Sequence, residues 1–430
     1  MNFRLLKDKN YIVFMIGKVI SLLGSNIQQF ALSLYVFALT GSATLFASLI
    51  AISILPRIIF SPFAGVMGDW FDRKKMIIIL DFTNAILLGF FALIFMSQGR
   101  LDLWLIYVLV IVLEIVEIFY GASSSAIVPS IVSKEDIVDA KSLQSFIFSI
   151  AQLVSPLIAA TLYGLLGLLV VLVFNALSFL IGAIMELFLT IPAYHNKPDK
   201  VNVRAFFKDI KEGLILIKSD AFIFTTIILA TGVNFLISPF YSVGFIVLIK
   251  RTLEGTDFML GLFHSTLGLS MLVGPVLVST VFKKYAIKKV FVNSFIVISI
   301  FILFVAIIPI PFVLNQFNGI YVPLTLLLIL GFIIGVFTSV INVTIGAIIA
   351  QTIPLNMMGR TSATLQLLVT VFIPIGQMTF GLMYDTLMPS YVIMISGSLM
   401  LILVLLLRKP LLKDSPSKKD LEKETLLYEH

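Results

Sequence analysis

The chain has 430 residues, of which 59% are hydrophobic and only 12% are charged, and its formal net charge at pH 7 is +7. A single soluble core cannot bury so much apolar surface, so this composition excludes a soluble globular enzyme, a disordered chain and a coiled coil. The sequence contains no cysteine, which excludes disulfides, zinc–thiolate sites and thiol catalysis. We therefore expect an all-α membrane protein that crosses the bilayer many times.

Twelve runs of mostly apolar residues are long enough to cross a bilayer as helices, which takes about 20 residues. They predict twelve transmembrane helices, spans 1 to 12, at residues 11–39, 44–67, 75–97, 102–122, 137–163, 167–191, 220–249, 257–282, 289–310, 321–350, 358–385 and 389–407. With a cytoplasmic N-terminus, most of the 30 Lys and Arg residues fall in cytoplasmic segments, as the positive-inside rule requires. We expect a multi-pass protein of the cytoplasmic membrane with both termini in the cytoplasm, whose basic charge needs no nucleic acid to explain it.

A polar stretch at residues 192–219 divides the spans into two sets of six. Its second part has a helical period of apolar and charged residues, which indicates an amphipathic helix on the cytoplasmic face; a disordered linker is the alternative. Short matches between the halves, such as Gly-Ser-Asn at 24–26 and Gly-Val-Asn at 232–234, indicate a duplication, which favours a transporter over a channel. The predicted domains are an N-terminal six-helix bundle at 1–191, the linker at 192–219, a C-terminal six-helix bundle at 220–407 and a cytoplasmic tail at 408–430.

The loop between spans 2 and 3 carries the most specific motif. Residues 65–75 read GVMGDWFDRKK, which resembles the signature loop of the major facilitator superfamily: a glycine, three residues, an aspartate and a basic run. The resemblance implies the major facilitator fold of two six-helix bundles, in which this aspartate faces the N-terminus of span 11, where the helix dipole favours a negative charge. The implied gate residues are Gly65, Asp69, Arg73 and Lys74. The sequence departs from the pattern at Trp70 and Asp72, and an ordinary basic loop is the alternative.

Span 5 carries a second motif. Residues 151–160 read AQLVSPLIAA and resemble the antiporter motif of the drug exporters in this superfamily, G-x-x-x-G-P-x-x-G-G. Ser155, Ala159 and Ala160 stand at glycine positions of the motif, and Pro156 is retained. Small residues on one face and a proline kink allow close packing against a neighbouring helix, although such faces are also common in membrane helices that have no antiporter function.

Stretches at 128–136 and 354–361 resemble the macrolide-efflux branch of the superfamily, a group of drug:proton antiporters that also includes siderophore exporters. The resemblance implies secondary active export of an amphipathic or lipophilic compound, drug-like or macrolide-like, driven by proton antiport through alternating access. Export of a defined metabolite, such as a siderophore or lipid-like molecule, is the alternative. The resemblance to this branch further implies a monomer that has no cofactor, no metal and no enzymatic activity.

Ionisable side chains inside membrane spans are costly and usually functional. Five of them lie at similar depth in the cytoplasmic half of the bilayer: Lys18, Arg57, Asp81, Glu114 and Glu117. Together they carry one more negative than positive charge, so one carboxyl group can take up a proton and leave the network neutral. Glu114 is deeper than Glu117 and is the predicted proton carrier, with Asp81 ionised near the basic loop and Glu117 paired with Lys18, Arg57 or Arg73. The competing interpretation is that both glutamates are structural ion-pair partners.

Two more ionisable residues receive structural interpretations. Glu186 lies near the end of span 6, a peripheral helix in the superfamily, and is predicted to reach the membrane surface. His264 in span 8 is predicted to be a structural hydrogen-bonding residue more readily than a proton carrier.

The predicted cargo cavity has a polar wall in the first half and an aromatic wall in the second. Span 1 places Lys18 and several polar residues on one face, and spans 1, 4, 7 and 10 line the central cavity in the superfamily. An aromatic pocket with few polar groups suits a bulky amphipathic ligand. Hydrogen bonding between packed helices is the alternative role for the same residues. The candidate cavity residues are Ser25, Gln28, Gln29, Asn234, Phe235, Tyr241, Phe337 and Asn342.

Overall fold

The computed structural model describes residues 5, 8–70, 72–125, 127–133, 136–190, 221–352 and 358–412. Within them, the side chains of 62, 65–70, 138, 221–223, 349–352, 358–364 and 366–367 are not described. The predicted linker at 192–219, with its amphipathic helix, and most of the predicted tail lie outside these residues.

Eleven long helices form the described part of the chain, and no strand occurs within it. Their bounds are α1 Lys9–Thr40, α2 Ala43–Trp70, α3 Arg73–Gln98, α4 Leu103–Ser125, α5 Ile137–Leu187, α6 Ala221–Leu236, α7 Asp257–Thr280, α8 Ile287–Ile307, α9 Tyr321–Thr352, α10 Met358–Thr386 and α11 Pro389–Leu412. Shorter elements are helices Ile127–Ile131 and Pro311–Leu314, π-helical turns Phe240–Gly244 and Val247–Thr252, and a 3-10 turn Phe282–Lys284.

Eleven helical stretches of the described chain are long and apolar enough to cross a membrane. One of them, α5, is interrupted at Gly167, whose φ of 77° and ψ of 179° are not helical. This conformation is open only to glycine without strain, so the sequence places the break there. Since α5 contains both span 5 and span 6, the eleven stretches hold the predicted twelve spans, and the all-α fold is confirmed.

Local sequence signals explain where the first helices begin and end. The side chains of Asp8 and Asp72 accept hydrogen bonds from backbone N–H groups at the starts of α1 and α3, which satisfies donors that have no partner inside the helix. Gly41 and Gly99 end the same two helices with positive φ of 63° and 70°, as expected for a glycine after a helix. Asp72, a departure from the superfamily motif, is therefore a helix cap.

The chain divides into two compact units. Unit 1 comprises Met1–Gly41 and Ile52–Val201, and unit 2 comprises Ser42–Ala51 and Asn202–His430. The first turns of α2 thus group with unit 2, whereas the predicted N-terminal bundle includes all of α2. Inside unit 1, α1 and α3 pack against α5, and α3 packs against α4. Inside unit 2, α7 and α8 pack against α9, while α6 packs against α10 and α11.

Small residues bring α1 and α5 into close contact. A Cβ atom added at Gly24 would lie 2.1 Å from Ser178 Oγ, and one added at Gly17 would lie 3.3 Å from Met185 Cβ. A Cβ atom at Gly182 would lie 2.5 Å from Ser21 Oγ. A larger side chain would force a shift at Gly24 and Gly182 and would fit tightly at Gly17, so the two helices approach as they do at other small-residue interfaces in membranes.

Candidate functional site

A cavity of about 230 Å³ lies inside unit 1, between the side chains of α1 to α5. Its polar lining consists of Ser25, Asn26, Gln28, Gln29, Ser53, Arg57, Asn84, Glu114, Glu117 and Asn175. Its apolar lining consists of Leu22, Leu32, Val110, Leu113 and Phe179. The volume is somewhat below the ~300 to 1,000 Å³ of typical drug-sized pockets, so the cavity fits a small ligand or one portion of a larger one.

An ion pair between Arg57 and Glu114 forms part of the cavity wall. Arg57 Nε donates to Glu114 Oε1 at 2.9 Å, and Nη2 donates to the same oxygen. The Arg57 side chain is 60% exposed and that of Glu114 is 14% exposed, so the guanidinium group is reachable from the cavity. Of the three partners predicted for Glu117, Arg57 forms its ion pair with Glu114 instead. Glu117 lines the cavity and interacts electrostatically with Lys18.

The polar face of α1 both lines the cavity and joins α5. Ser25 and Gln29 face the cavity, while Gln28 also accepts a hydrogen bond from Asn175 Nδ2 of α5. Ser178 Oγ donates to Asn175 Oδ1 at 2.9 Å, which extends this buried network. The two roles considered for the α1 face, cavity wall and helix–helix hydrogen bonding, are thus combined in one residue.

Lys18 is held inside unit 1 by a hydroxyl group and three aromatic rings. Its Nζ donates to Ser124 Oγ at 2.7 Å. It lies 5.7, 5.6 and 5.5 Å from the ring centroids of Phe14, Tyr120 and Phe148. These distances are within the range of cation–π attraction, which replaces part of the hydration that the ammonium group lacks in the interior.

Glu186 is buried inside unit 1, so the prediction that it reaches the membrane surface is wrong. Only 1% of the residue is exposed, and its Oε1 accepts a hydrogen bond from the Tyr120 hydroxyl group at 2.9 Å. The polar or small residues Asn175, Ser178, Gly182 and Glu186 follow one another at spacings of 3, 4 and 4. This period marks one face of a helix, and it is the sequence signal that would have placed Glu186 against α1.

Asp81 of α3 joins the same interior. It is 1% exposed, and its Oδ2 accepts a hydrogen bond from Ser21 Oγ at 3.4 Å. It interacts electrostatically with Glu186, Glu117 and Lys18. Asp81 is predicted to stay ionised near the basic loop at 73–75, whereas in the structure its carboxyl group lies against Ser21 of α1 and Gly182 of α5.

The signature loop is only partly described. α2 ends at Trp70 and α3 begins at Arg73, so the motif spans a helix–loop–helix turn. Lys74 Nζ donates to the carbonyl oxygen of Leu187 at 2.9 Å, where it satisfies a carbonyl group at the end of α5. The side chains of Gly65 and Asp69 lie outside the described part, and the gate stays a prediction.

The antiporter-like motif packs inside unit 1. Ser155, Ala159 and Ala160 are each at most 1% exposed, and Pro156 lies within α5. Ala159 packs with apolar residues of α1, including Ile27. The small residues of this motif therefore contribute to the close contact between α1 and α5.

The predicted cavity residues of the second half form contacts inside unit 2. Asn234 Nδ2 donates to the Val369 carbonyl oxygen at 3.0 Å, and the hydroxyl groups of Tyr241 and Thr338 are 2.9 Å apart. Phe235 packs edge-on against Phe380, with ring centroids 6.1 Å apart. Phe337 is half-buried and Asn342 is exposed. In the described part of the chain, no group of three or more His, Asp or Glu residues is arranged to hold a metal ion.

Comparisons with known proteins agree with this architecture. The sequence profile of the family described as transmembrane secretion effector matches residues 2–426. Macrolide efflux protein A of Streptococcus pyogenes is 23% identical over 385 residues, which cover 90% of this chain and 92% of that protein. The uncharacterized MFS-type transporter YkuC of Bacillus subtilis is 25% identical over 369 residues, which cover 83% and 81%.

The fold also occurs among solved structures. The crystal structure of a bacterial homologue of the iron transporter ferroportin superposes with a TM-score of 0.70 at 15% identity, covering 96% of this chain and 100% of that one. At this identity the likeness shows the fold alone. Because the family profile covers nearly the whole sequence, the chain belongs to the transmembrane secretion effector family of the major facilitator superfamily, and it is a multi-pass membrane transporter.

Proposed function

We propose that the protein is a secondary active exporter of amphipathic or lipophilic compounds, driven by proton antiport through alternating access. It acts in the cytoplasmic membrane as a monomer, with both termini in the cytoplasm and without a cofactor. The observation that carries this proposal is the cavity of unit 1, whose wall combines apolar side chains with amides, hydroxyl groups and an ion pair. Resemblance to macrolide efflux protein A supports the direction of transport.

The charges of the cavity wall favour cargo that carries a positive group. Among its lining residues, Arg57 contributes one positive charge, and Glu114 and Glu117 contribute two negative charges, so the wall is negative when all three are ionised. Electrostatic complementarity then selects cations. A cationic cargo can compete with Arg57 for Glu114, since both residues line the cavity. On the strength of the motif, the gate in this proposal is formed by Gly65, Asp69, Arg73 and Lys74.

Transport of a permanently charged lipophilic dye tests the proposal. We expect proteoliposomes with an acidic interior to accumulate ethidium, and we expect nigericin, which collapses the pH gradient, to abolish the accumulation. Ethidium cannot follow the gradient as a weak base, so protein-free liposomes provide the background. Equal ethidium flux with and without the protein, or flux that is insensitive to nigericin, contradicts proton-driven export.

A variant pair tests the role of the ion pair. Removing either partner, by Arg57→Gln or Glu114→Gln, is expected to lower ethidium transport several-fold, because cargo no longer exchanges with an internal partner. The matched control is Asp102→Asn, which removes the exposed ion pair of Arg100 and Asp102 outside the cavity and leaves transport unchanged. Wild-type transport by both single variants contradicts this role.

The cavity volume favours a second candidate, export of a defined small metabolite. At about 230 Å³, the cavity of unit 1 is small for a complete drug-sized ligand. Efflux from a pump-deficient host, measured over a panel of macrolides, lipophilic cations and small metabolites, separates the two candidates. Broad resistance supports the drug exporter, whereas export of one compound class alone supports the metabolite exporter.

A further inference from the structure

Two acidic side chains meet in the interior of unit 1, away from the cavity wall. Asp81 and Glu186 are each 1% exposed, and neither lines the cavity. A Cβ atom at Gly182 would lie 2.7 Å from Asp81 Oδ2, so the carboxyl group of α3 lies directly against α5 at this position. Gly182 precedes Glu186 by one helical turn, and helical side chains point toward the N-terminal turn. The two carboxyl groups are therefore directed toward the same region.

Each of these acids has one oxygen atom that lacks a hydrogen-bond donor. Asp81 Oδ1 and Glu186 Oε2 are buried and have no partner within the described part of the chain. Their other oxygens accept from one hydroxyl group each, those of Ser21 and Tyr120. A buried ionised carboxylate without donors is strongly unfavourable, whereas a protonated carboxyl group supplies its own donor. Both acids thus lack the environment that two permanent carboxylates require.

The surrounding charges do not neutralise the pair. The charged or titratable neighbours of the pair are Lys18 on α1 and Glu117 and Tyr120 on α4. Lys141 on α5 interacts electrostatically with Lys18. Lys18 donates to Ser124, and no ion pair joins it to Asp81 or Glu186 in the described residues. Lys141 Nζ donates to the Ser125 carbonyl oxygen. Lys18 therefore interacts electrostatically with three carboxyl groups, those of Asp81, Glu117 and Glu186, and its single positive charge cannot balance all three.

We propose that Asp81 and Glu186 form a proton-binding pair and that this pair is the coupling site of the transporter. The inference rests on the proposed function and moves the proton from Glu114, which is paired with Arg57, to the interior of unit 1. Binding adds one proton to a carboxylate oxygen and forms an O–H group, which can donate to an oxygen that otherwise has no donor. Release returns the proton to water, and no other reactant is needed.

Polar side chains connect the pair to the cavity. Asn84 lies one turn after Asp81 on α3, lines the cavity, and has an unpartnered Oδ1. Glu117 lies one turn before Tyr120 on α4 and also lines the cavity. Ser21, which donates to Asp81, is on the same helix as cavity residue Ser25. A change of charge at the pair thus acts on the helix that contacts cargo.

Infrared difference spectra test proton binding without any cargo. For the wild-type protein in lipid nanodiscs, we expect the difference between spectra at acidic and neutral pH to contain a carboxylic acid C=O band. This band should be smaller in Asp81→Asn and in Glu186→Gln. Asp102→Asn is the matched control and should keep the wild-type spectrum. Melting temperatures check that each variant is folded, and Asp81→Glu and Glu186→Asp should restore a titrating band. An unchanged spectrum in both neutral variants overturns the proton-binding pair.

Two transport assays then test coupling. In Asp81→Asn and Glu186→Gln, ethidium uptake driven by a pH gradient should fall at least tenfold. Ethidium counterflow, which needs no net proton movement, should be retained. Ethidium binding by the wild type should weaken as pH falls, because protonation neutralises a negative charge that attracts the cation. In both variants, ethidium affinity should depend less on pH. Gradient-driven uptake with wild-type pH dependence in both variants overturns the inference.

The two proposals fail in distinguishable ways. If wild-type protein does not move ethidium or other cargo but the infrared band disappears in the variants, the proton-binding pair stands and the exporter proposal fails. If wild-type export is proton-driven and the band does not depend on Asp81 or Glu186, the exporter stands and the pair fails.

Discussion

In unit 1, the ionisable side chains of Lys18, Asp81, Glu117 and Glu186 meet among four helices, whereas the interior of unit 2 is held by aromatic rings and neutral hydrogen bonds. Phe245 lies with its ring centroid 4.7 Å from that of Phe240 and 3.9 Å from that of Phe263. Ser242 Oγ donates to Gln377 Oε1 at 2.8 Å. These contacts of unit 2 join neutral groups, whereas the four side chains of unit 1 can gain or lose a proton.

Ion pairs in the described part of unit 2 occur at helix ends. Lys250 pairs with Asp257 at 2.7 Å, at the start of α7, and Arg251 pairs with Asp385 at 3.3 Å, at the end of α10. Such positions are cheaper for charges than a helix interior, since backbone groups at helix termini lack partners. Unit 1 thus buries several acidic groups in its interior, whereas the described ion pairs of unit 2 lie where they stabilise helix ends.

Asp385 is the most connected of these terminal charges. Its carboxylate accepts from the backbone N–H groups of Ala43 and Thr44 at 2.8 and 2.9 Å and from Ser42 Oγ at 2.7 Å. These residues begin α2 and belong to unit 2. Ser42 Oγ also accepts from the Leu45 backbone N–H at 3.2 Å, so Asp385 adds acceptors from another helix to the cap that this N-terminal residue provides.

The largest effect is expected from separating the charged helices of unit 1. Gly182→Val adds a side chain whose Cβ atom would lie 2.5 Å from Ser21 Oγ and 2.7 Å from Asp81 Oδ2. Overpacking of this kind should lower the free energy of unfolding by about 3 kcal/mol. Thermal unfolding in detergent measures it. Gly89→Val is the control, because no neighbour lies within 4 Å of a Cβ atom there; equal melting temperatures for the two variants contradict the close packing.

A smaller effect is expected at the terminal charges of unit 2. Asp385→Ala removes the carboxylate acceptors from the start of α2 and leaves Arg251 without this partner, so we expect a loss of about 2 kcal/mol of unfolding free energy. Because no interior charge is changed, the pH dependence of transport should remain that of the wild type. Asp102→Ala, at an exposed pair, is the control and should cost little. Unchanged thermal stability of Asp385→Ala refutes the capping role.

The smallest effect compares one tyrosine in each unit. Tyr241→Phe removes a neutral hydrogen bond to Thr338 and should cost about 1 kcal/mol without changing the pH dependence of ethidium uptake. Tyr120→Phe removes the donor to Glu186 and should shift that pH dependence, because the carboxylate form loses its hydrogen bond. The contrast between the units fails if the two variants have the same pH profile.

Much of this molecule is readable from local patterns. Apolar runs of about 20 residues predict the spans because each transmembrane helix satisfies its own backbone hydrogen bonds. Lys18, Asp81 and Glu117 stand out in the sequence because ionisable groups are rare in such runs. The break at Gly167 and the cap at Asp72 are also local, since they depend on the conformations and hydrogen bonds of a few consecutive residues.

Only the packed helices decided which of these groups meet. A charge near the end of a span can reach the membrane surface or turn inward, and for Glu186 the choice depends on how Gly182 lets α5 approach Ser21 and Asp81. Likewise, Glu114 and Glu117 lie one turn apart on α4. The rotation of α4 about its axis determines that Glu114 pairs with Arg57. Rotation about a helix axis is set by side chains from other helices, distant in sequence. The membrane spans and the identity of the interior charges thus follow from the local sequence, whereas the packing of the helices sets which of these charges become partners.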